Sequence, residues 1–135
     1  NNEEIIIHTD KNNKPGSRYY LYNEDLSESI LFLISNFKKV QKVAFDVQQK
    51  NPTKINISGN SLISNLEVAE LISSQLNKDF NYKFLANDPI RPGHDIKYGL
   101  DSSLLESLGG SFDRNFDEGL KETIDFYQNN NHWLN

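Results

Sequence analysis

Hydrophobic residues in this chain change period at Asn23, and that change limits the folds open to it. Before it, Ile5-Ile6-Ile7 and Arg18-Tyr19-Tyr20-Leu21-Tyr22 read as extended segments. The polar turn Asp10-Lys11-Asn12-Asn13-Lys14-Pro15-Gly16 separates them. After it, Leu26, Ile30, Leu33, Ile34 and Phe37 recur at helical spacing, which predicts an amphipathic helix capped by Asn23. Lys38 and Lys39 would then suit the negative end of that helix. With both periods in 135 residues, the expected architecture is α/β: a single mixed α+β lobe of short strands and about four helices.

The rest of the chain fits that frame. The segment from Val40 to Val47 carries both patterns, since Val40, Val43, Ala44 and Val47 suit a helix while Val43, Phe45 and Val47 alternate; a helix is the better fit. Lys54-Ile55-Asn56-Ile57 is expected as a strand ending in the turn Ser58-Gly59-Asn60. Ser64-Asn65-Leu66-Glu67 is a capping box, in which a hydroxyl and a carboxylate satisfy exposed amides. It should open a helix to about Leu76 with Val68, Leu71, Ile72 and Leu76 inward. Tyr82 and Phe84, then Tyr98 and Leu100, alternate as strands. Asp101 should cap a short helix carrying Leu104, Leu105 and Leu108 and closed by Gly109. A last helix begins at Asn115, with Phe116, Leu120, Thr123, Ile124 and Tyr127 on one stripe.

Composition removes several classes of function. A net charge of −5 disfavours nucleic acid and anionic membrane as partners. No apolar run nears the roughly 18 residues of a spanning helix, and the N-terminus has no secretory pattern. With no Cys, a disulfide scaffold and Cys-based zinc sites are excluded, and a reducing compartment, the cytoplasm, is expected. There is no Met even at position 1, so the chain is expected to be a trimmed product or part of a longer protein.

Catalytic motifs are absent. The seven glycines form neither a G-x-G-x-x-G turn nor a P-loop, so the usual phosphate cradle of a dinucleotide cofactor is missing. No Tyr-x-x-x-Lys pair and no Gly-x-Ser-x-Gly elbow occurs, and His8, His94 and His132 lack metal-ligand spacing. What stands out is Pro89-Ile90-Arg91-Pro92-Gly93-His94-Asp95, a loop whose backbone is fixed by two prolines and a glycine. Arg91 presents a planar fork of donors and His94 a ring donor, a pairing suited to phosphate. A rigid turn with Arg91 paired to Asp88 or Asp95 explains the same residues. Arg18 could clamp an anion or form a surface ion pair. Asn65, at the start of the capped helix, could meet a phosphate or a base edge, or serve only as a first-turn residue. The tyrosines at 19, 20 and 22 could stack a ring or pack a core. Glu24, Asp25 and Glu28 are explained by the helix dipole.

Taken in order, these segments resemble a known family. Arg18-Tyr-Tyr-Leu-Tyr-Asn-Glu-Asp25, a helix, Ile55-Asn-Ile-Ser-Gly-Asn60 and Ser64-Asn-Leu-Glu67 look like the C-terminal portion of extended short-chain dehydrogenases, the NAD-dependent nucleotide-sugar epimerases and dehydratases. Arg91-Pro-Gly-His-Asp95 with Tyr98 and Asp101, then Phe116-Asp-Glu-Gly-Leu120, Thr123, Tyr127 and Trp133-Leu134, is most similar to dTDP-glucose 4,6-dehydratases. Residues 40–50 resemble an insertion in that pattern.

The resemblance implies a substrate-binding lobe without its Rossmann domain, since the family's glycine-rich motif and catalytic Tyr-Lys pair lie upstream. It implies that Arg18 contacts the diphosphate of a nucleoside-diphosphate sugar, that Arg91 and His94 reach the phosphates and ribose, and that Asn65 lies against the nucleotide. No catalytic residue and no cofactor site is expected in this chain; NAD would belong to the full-length enzyme. A lobe separated from its Rossmann partner should expose apolar surface and could form homo-oligomers. A non-catalytic nucleotide-binding module and a plain protein-interaction domain are the alternatives.

Overall fold

In a computed structural model, residues 4–48, 54–86, 97–110 and 114–134 are described. Five short strands and five helices follow in the order β1 Ile5–Thr9, β2 Ser17–Tyr19, α1 Asn23–Ser35, α2 Phe37–Gln48, β3 Leu62–Ser64, α3 Asn65–Leu76, β4 Tyr82–Ala86, β5 Lys97–Tyr98, α4 Ser103–Ser107 and α5 Phe116–Asn129, closed by a 3-10 turn at Asn131–Leu134. The expected mixed lobe is what forms.

Two small sheets organise it. β1 pairs in parallel with β4, Ile5 opposite Tyr82 through Thr9 opposite Ala86. In the second sheet β2 is central, antiparallel to β3 and parallel to β5. Its register sets Ser17 against Ser64 and Arg18 against both Ile63 and Tyr98. Lys54–Ile57 is not a strand. Both edges of β2 are taken, by Leu62–Ser64 and by Lys97–Tyr98, so the earlier segment has no ladder to join. It is fastened instead by side chains, with the Asn56 amide donating to the Asp101 carbonyl at 3.0 Å. Leu100 likewise falls outside β5 and is exposed.

Helix entry differs from expectation at two places. α1 starts at Asn23 itself, after an extended Tyr22 whose side chain makes no cap. That tyrosine turns to Glu122, donating its hydroxyl at 2.9 Å. At α4 the flanking residue is Ser102, although the Asp101 carboxylate still accepts the Ser103 amide at 2.9 Å. The capping box at α3 forms in full: the Glu67 amide donates to Ser64 Oγ at 3.1 Å and the Ser64 amide to Glu67 Oε2 at 2.7 Å. Asn115 caps α5 by accepting the Asp117 amide. Gly109 closes α4 with φ of +90°, a conformation that favours glycine.

Residues 40–47 are helical, as the better of the two patterns indicated, but they belong to a second helix. The chain breaks at Asn36, whose side-chain amide donates to the Phe32 carbonyl. Lys39 therefore lies in the first turn of α2 and caps another element, donating to the Leu108 carbonyl at the end of α4 at 3.0 Å. Val40 is buried, as are Leu105, Leu108 and Ile7.

The orientation of α1 is the main surprise. Its fully buried positions are Asp25 and Ser29, while Leu31, Ile34 and the following Phe37 are 63%, 65% and 61% exposed. Of the expected stripe, Leu26, Ile30, Ile34 and Phe37 are exposed and Leu33 is half-buried. Val68, Leu71, Ile72 and Leu76 of α3 are half-buried, partly covered as expected.

Hydrogen bonds from the backbone hold three carboxylates below their ordinary range. For Glu67 the Ser64 hydroxyl acts first and the Ser64 amide second. For Asp10 the Lys14 and Asn12 amides act, and for Asp101 the Ser103 amide and hydroxyl. A carboxylate whose folded value is depressed stabilises the fold above its unfolded value, about 4, and that contribution disappears as pH falls through the folded value. Urea unfolding midpoints should therefore drop between about pH 5 and pH 2. Glu67→Gln should make that drop shallower, and an unchanged acid slope would contradict the assignment.

Candidate functional site

β2 and the residue after it build the site. Arg18 lies within β2 and Tyr20 just past its end. Tyr20 leaves the sheet with its backbone lying over Gly59: a Cβ there would come within 1.8 Å of the Tyr20 carbonyl oxygen. The Tyr20 ring meets Phe116 at 5.8 Å between centroids. Its hydroxyl donates to Asn65 Oδ1 at 2.7 Å. Burial raises the tyrosine above its ordinary value, and the nearby charge of Arg18 pulls in the opposite direction.

Of the four expected site residues, Asn65 is bonded to Tyr20, and Arg18 is near enough for its charge to act on the same phenol. Arg18, half-buried, donates from its guanidinium to the Ser17 carbonyl at 2.8 Å. Asn65 begins α3, but its backbone amide is not open to a ligand; it donates to the Gly16 carbonyl at 2.8 Å. Only its side chain can serve. Arg91 and His94, with the whole expected Pro89–Asp95 loop, lie outside the described residues.

Beside Tyr20 opens a cleft of about 580 Å³, lined among others by Tyr22, Asn60, Arg114, Phe116 and Tyr127. Arg114 crosses it. The guanidinium contacts Glu122 at 2.7 Å, Asp25 at 3.3 Å and Glu24 at 3.3 Å, and lies 4.7 Å from the centroid of the Tyr22 ring. Burial opposes its charge, while Glu122, Asp25 and Glu24 together raise it above the ordinary guanidinium value. This residue locks α1 to α5 and explains why an aspartate is tolerated under α1. Nothing in the local sequence singled it out, because its partners lie some ninety positions away for Glu24 and Asp25.

Four of the five described helices, α1, α3, α4 and α5, carry an acidic residue in the first turn, which offsets the positive end of the dipole; α2 does not. Among the described residues no cluster of three His, Asp or Glu could hold a metal ion, and no helix is long and apolar enough to cross a membrane.

No family model matches the chain. It is 33% identical over 131 residues, 96% of its length, to the trifunctional UDP-glucose 4,6-dehydratase/UDP-4-keto-6-deoxy-D-glucose 3,5-epimerase/UDP-4-keto-L-rhamnose-reductase of Arabidopsis thaliana, of which it spans 17%. It is 35% identical over 79 residues to the dTDP-glucose 4,6-dehydratase of Streptomyces niveus, covering 58% of this chain and 23% of that protein. A solved dTDP-glucose 4,6-dehydratase of Bacillus anthracis, in complex with NAD, has the same fold over 97% of this chain and 36% of that one, with a TM-score of 0.64 at 21% identity.

The chain's homologues are therefore nucleotide-sugar 4,6-dehydratases. More narrowly, they are dTDP-glucose 4,6-dehydratases and the trifunctional UDP-glucose enzymes, and the chain is similar to one part of each.

Gly59 is the position on which this geometry can be tested. Gly59→Ala sets a methyl against the Tyr20 backbone and should cost roughly 3 kcal/mol of stability in urea unfolding. A loss below about 1 kcal/mol would mean that Tyr20 does not pass over this turn as described.

Proposed function

We propose that this chain is the C-terminal, substrate-holding part of an NAD-dependent nucleotide-sugar 4,6-dehydratase or epimerase, and that it grips the nucleoside diphosphate of the sugar. The observation that carries the reading is the near full-length similarity to such an enzyme. The gathering of Arg18 and Asn65 around Tyr20 supports it. A diphosphate needs fixed cationic and amide donors. Arg114 is engaged by three carboxylates; the clamps we propose are Arg18 and Arg91, with His94 three residues further along the chain.

NAD does not fit the described residues. Its pyrophosphate would need a glycine-rich turn opening onto amides at a helix start. At α3 those amides are taken by Ser64 and Glu67, the first turns of α1, α4 and α5 are acidic, and α2 starts after Asn36 with no glycine before it. The nicotinamide supplies hydride chemistry where it is bound; this lobe supplies binding energy and orientation. The outward stripe of α1, with Leu31, Ile34 and Phe37, is the surface through which we read it meeting the NAD-binding part.

Titration calorimetry on the chain should detect UDP or dTDP and give no signal with NAD. Arg18→Ala and Arg91→Ala should each weaken the nucleotide by roughly tenfold. Tight NAD binding, or nucleotide affinity indifferent to both arginines, would overturn the reading.

A further inference from the structure

Tyr20 has a property that neither burial nor ring stacking requires. Its hydroxyl is bonded to one of the expected ligand-binding residues, donating to Asn65 Oδ1 at 2.7 Å. A carboxamide has two nearly isosteric ends of opposite character, an acceptor oxygen and a nitrogen with two donor hydrogens. Which end faces a ligand decides whether the group attracts or repels an anion. A phenol alone does not decide this, because it can donate to the oxygen or accept from the nitrogen.

The geometry does: Tyr20 donates, and the acceptor is Asn65 Oδ1. With the oxygen engaged, both hydrogens of Nδ2 remain for a ligand; among the described residues no partner takes them. Asn65 cannot use its backbone amide instead, since Gly16 accepts it. The Phe116 ring at 5.8 Å and the Gly59 turn beneath the main chain fix where the phenol stands.

We propose that Tyr20 is a positioning residue: by donating its hydroxyl to Oδ1, it holds the Asn65 carboxamide with its nitrogen turned to an oxygen acceptor of the nucleotide. This rests on the nucleotide-holding reading above. It adds a residue to that site and a reason why a tyrosine hydroxyl, rather than a bare aromatic ring, stands there. The two arms of the site then share one sign, a guanidinium and an amide donor.

The test is calorimetric titration of UDP and dTDP into the chain carrying Tyr20→Phe, Asn65→Ala, Asn65→Asp or Arg18→Ala. Tyr20→Phe keeps the ring against Phe116 and removes only the hydroxyl, so the fold, followed by circular dichroism, should persist. Affinity should fall about fivefold, as for a lost hydrogen bond. Asn65→Asp is the decisive variant: its carboxylate accepts the Tyr20 proton as well as the amide does, yet it offers the ligand negative charge. It should bind at least tenfold more weakly than Asn65→Ala. A merely structural bond between Tyr20 and residue 65 would leave Asn65→Asp at wild-type affinity, and that result overturns the inference. So does wild-type affinity in Tyr20→Phe while Arg18→Ala binds poorly; the nucleotide site would then stand without the Tyr20 hydrogen bond. If Arg18→Ala and Arg91→Ala both bind like the parent chain, the site itself is wrong and the inference falls with it.

Discussion

The second sheet depends on three residues, Ser17–Tyr19, that bond to segments far apart in the chain. β2 has no free edge: β3 occupies one and β5 the other. That double pairing sets Ser64 opposite Ser17, which starts α3 at the level where the Tyr20 hydroxyl can reach Asn65. The same strand brings Tyr98 beside Arg18, so the chain on the far side of the Pro89–Asp95 segment returns to the edge that carries the first arginine. A short central strand is weak by itself. It holds because the chain immediately beyond it is anchored twice, by Gly59 beneath Tyr20 and by Arg114 around the entry to α1.

Electrostatics divide the work among the arginines. Arg114 serves the fold, since Asp25 is buried under α1 and needs a cation close by. Arg18 lies on β2, and its charge acts on the Tyr20 phenol. Four helix starts are already supplied with acid, so backbone dipoles strengthen the helices and are withdrawn from anion binding. An acidic chain can still hold a diphosphate if its few guanidinium groups are placed by the sheet and not by the helices. Net charge therefore says little about a site that depends on two or three positioned donors.

Local chemistry was the legible part of the sequence. The Ser64–Glu67 box, the Asn115 cap, the Gly109 stop and the strands at Ile5–Ile7 and Tyr82–Phe84 each rest on residues within four positions of one another, and each forms. Reading failed where the outcome was set at long range. Lys54–Ile57 has strand composition but loses the competition for β2 to Leu62–Ser64. Asn23 has cap chemistry, yet Tyr22 is drawn to Glu122 one hundred positions away, and the helix begins at Asn23 itself, a residue earlier than a cap there would place it. The candidate residues Arg18 and Asn65 could be named from residue type and position, but the hydrogen bond that Tyr20 makes to Asn65 could not, because it spans 45 positions.

The stripe on α1 shows what periodicity does and does not encode. Spacing at 3.6 residues says that a helix has an apolar face; it does not say which neighbour covers it. Within this chain the polar side of α1 is turned inward, where Asp25 meets Arg114 and the Ser29 hydroxyl donates to the Asp25 carbonyl at 2.7 Å. Those contacts specify the rotation of the helix, since turning it over would bury the apolar stripe and expel an ion pair and a satisfied hydroxyl. Leu31, Ile34 and Phe37 are thereby presented outward as a set, an arrangement with an apolar cost in water unless another surface lies on it. In the proposed reading the same arginine that secures the lobe also aims this face at the NAD-binding part, coupling the integrity of the substrate-holding piece to its docking.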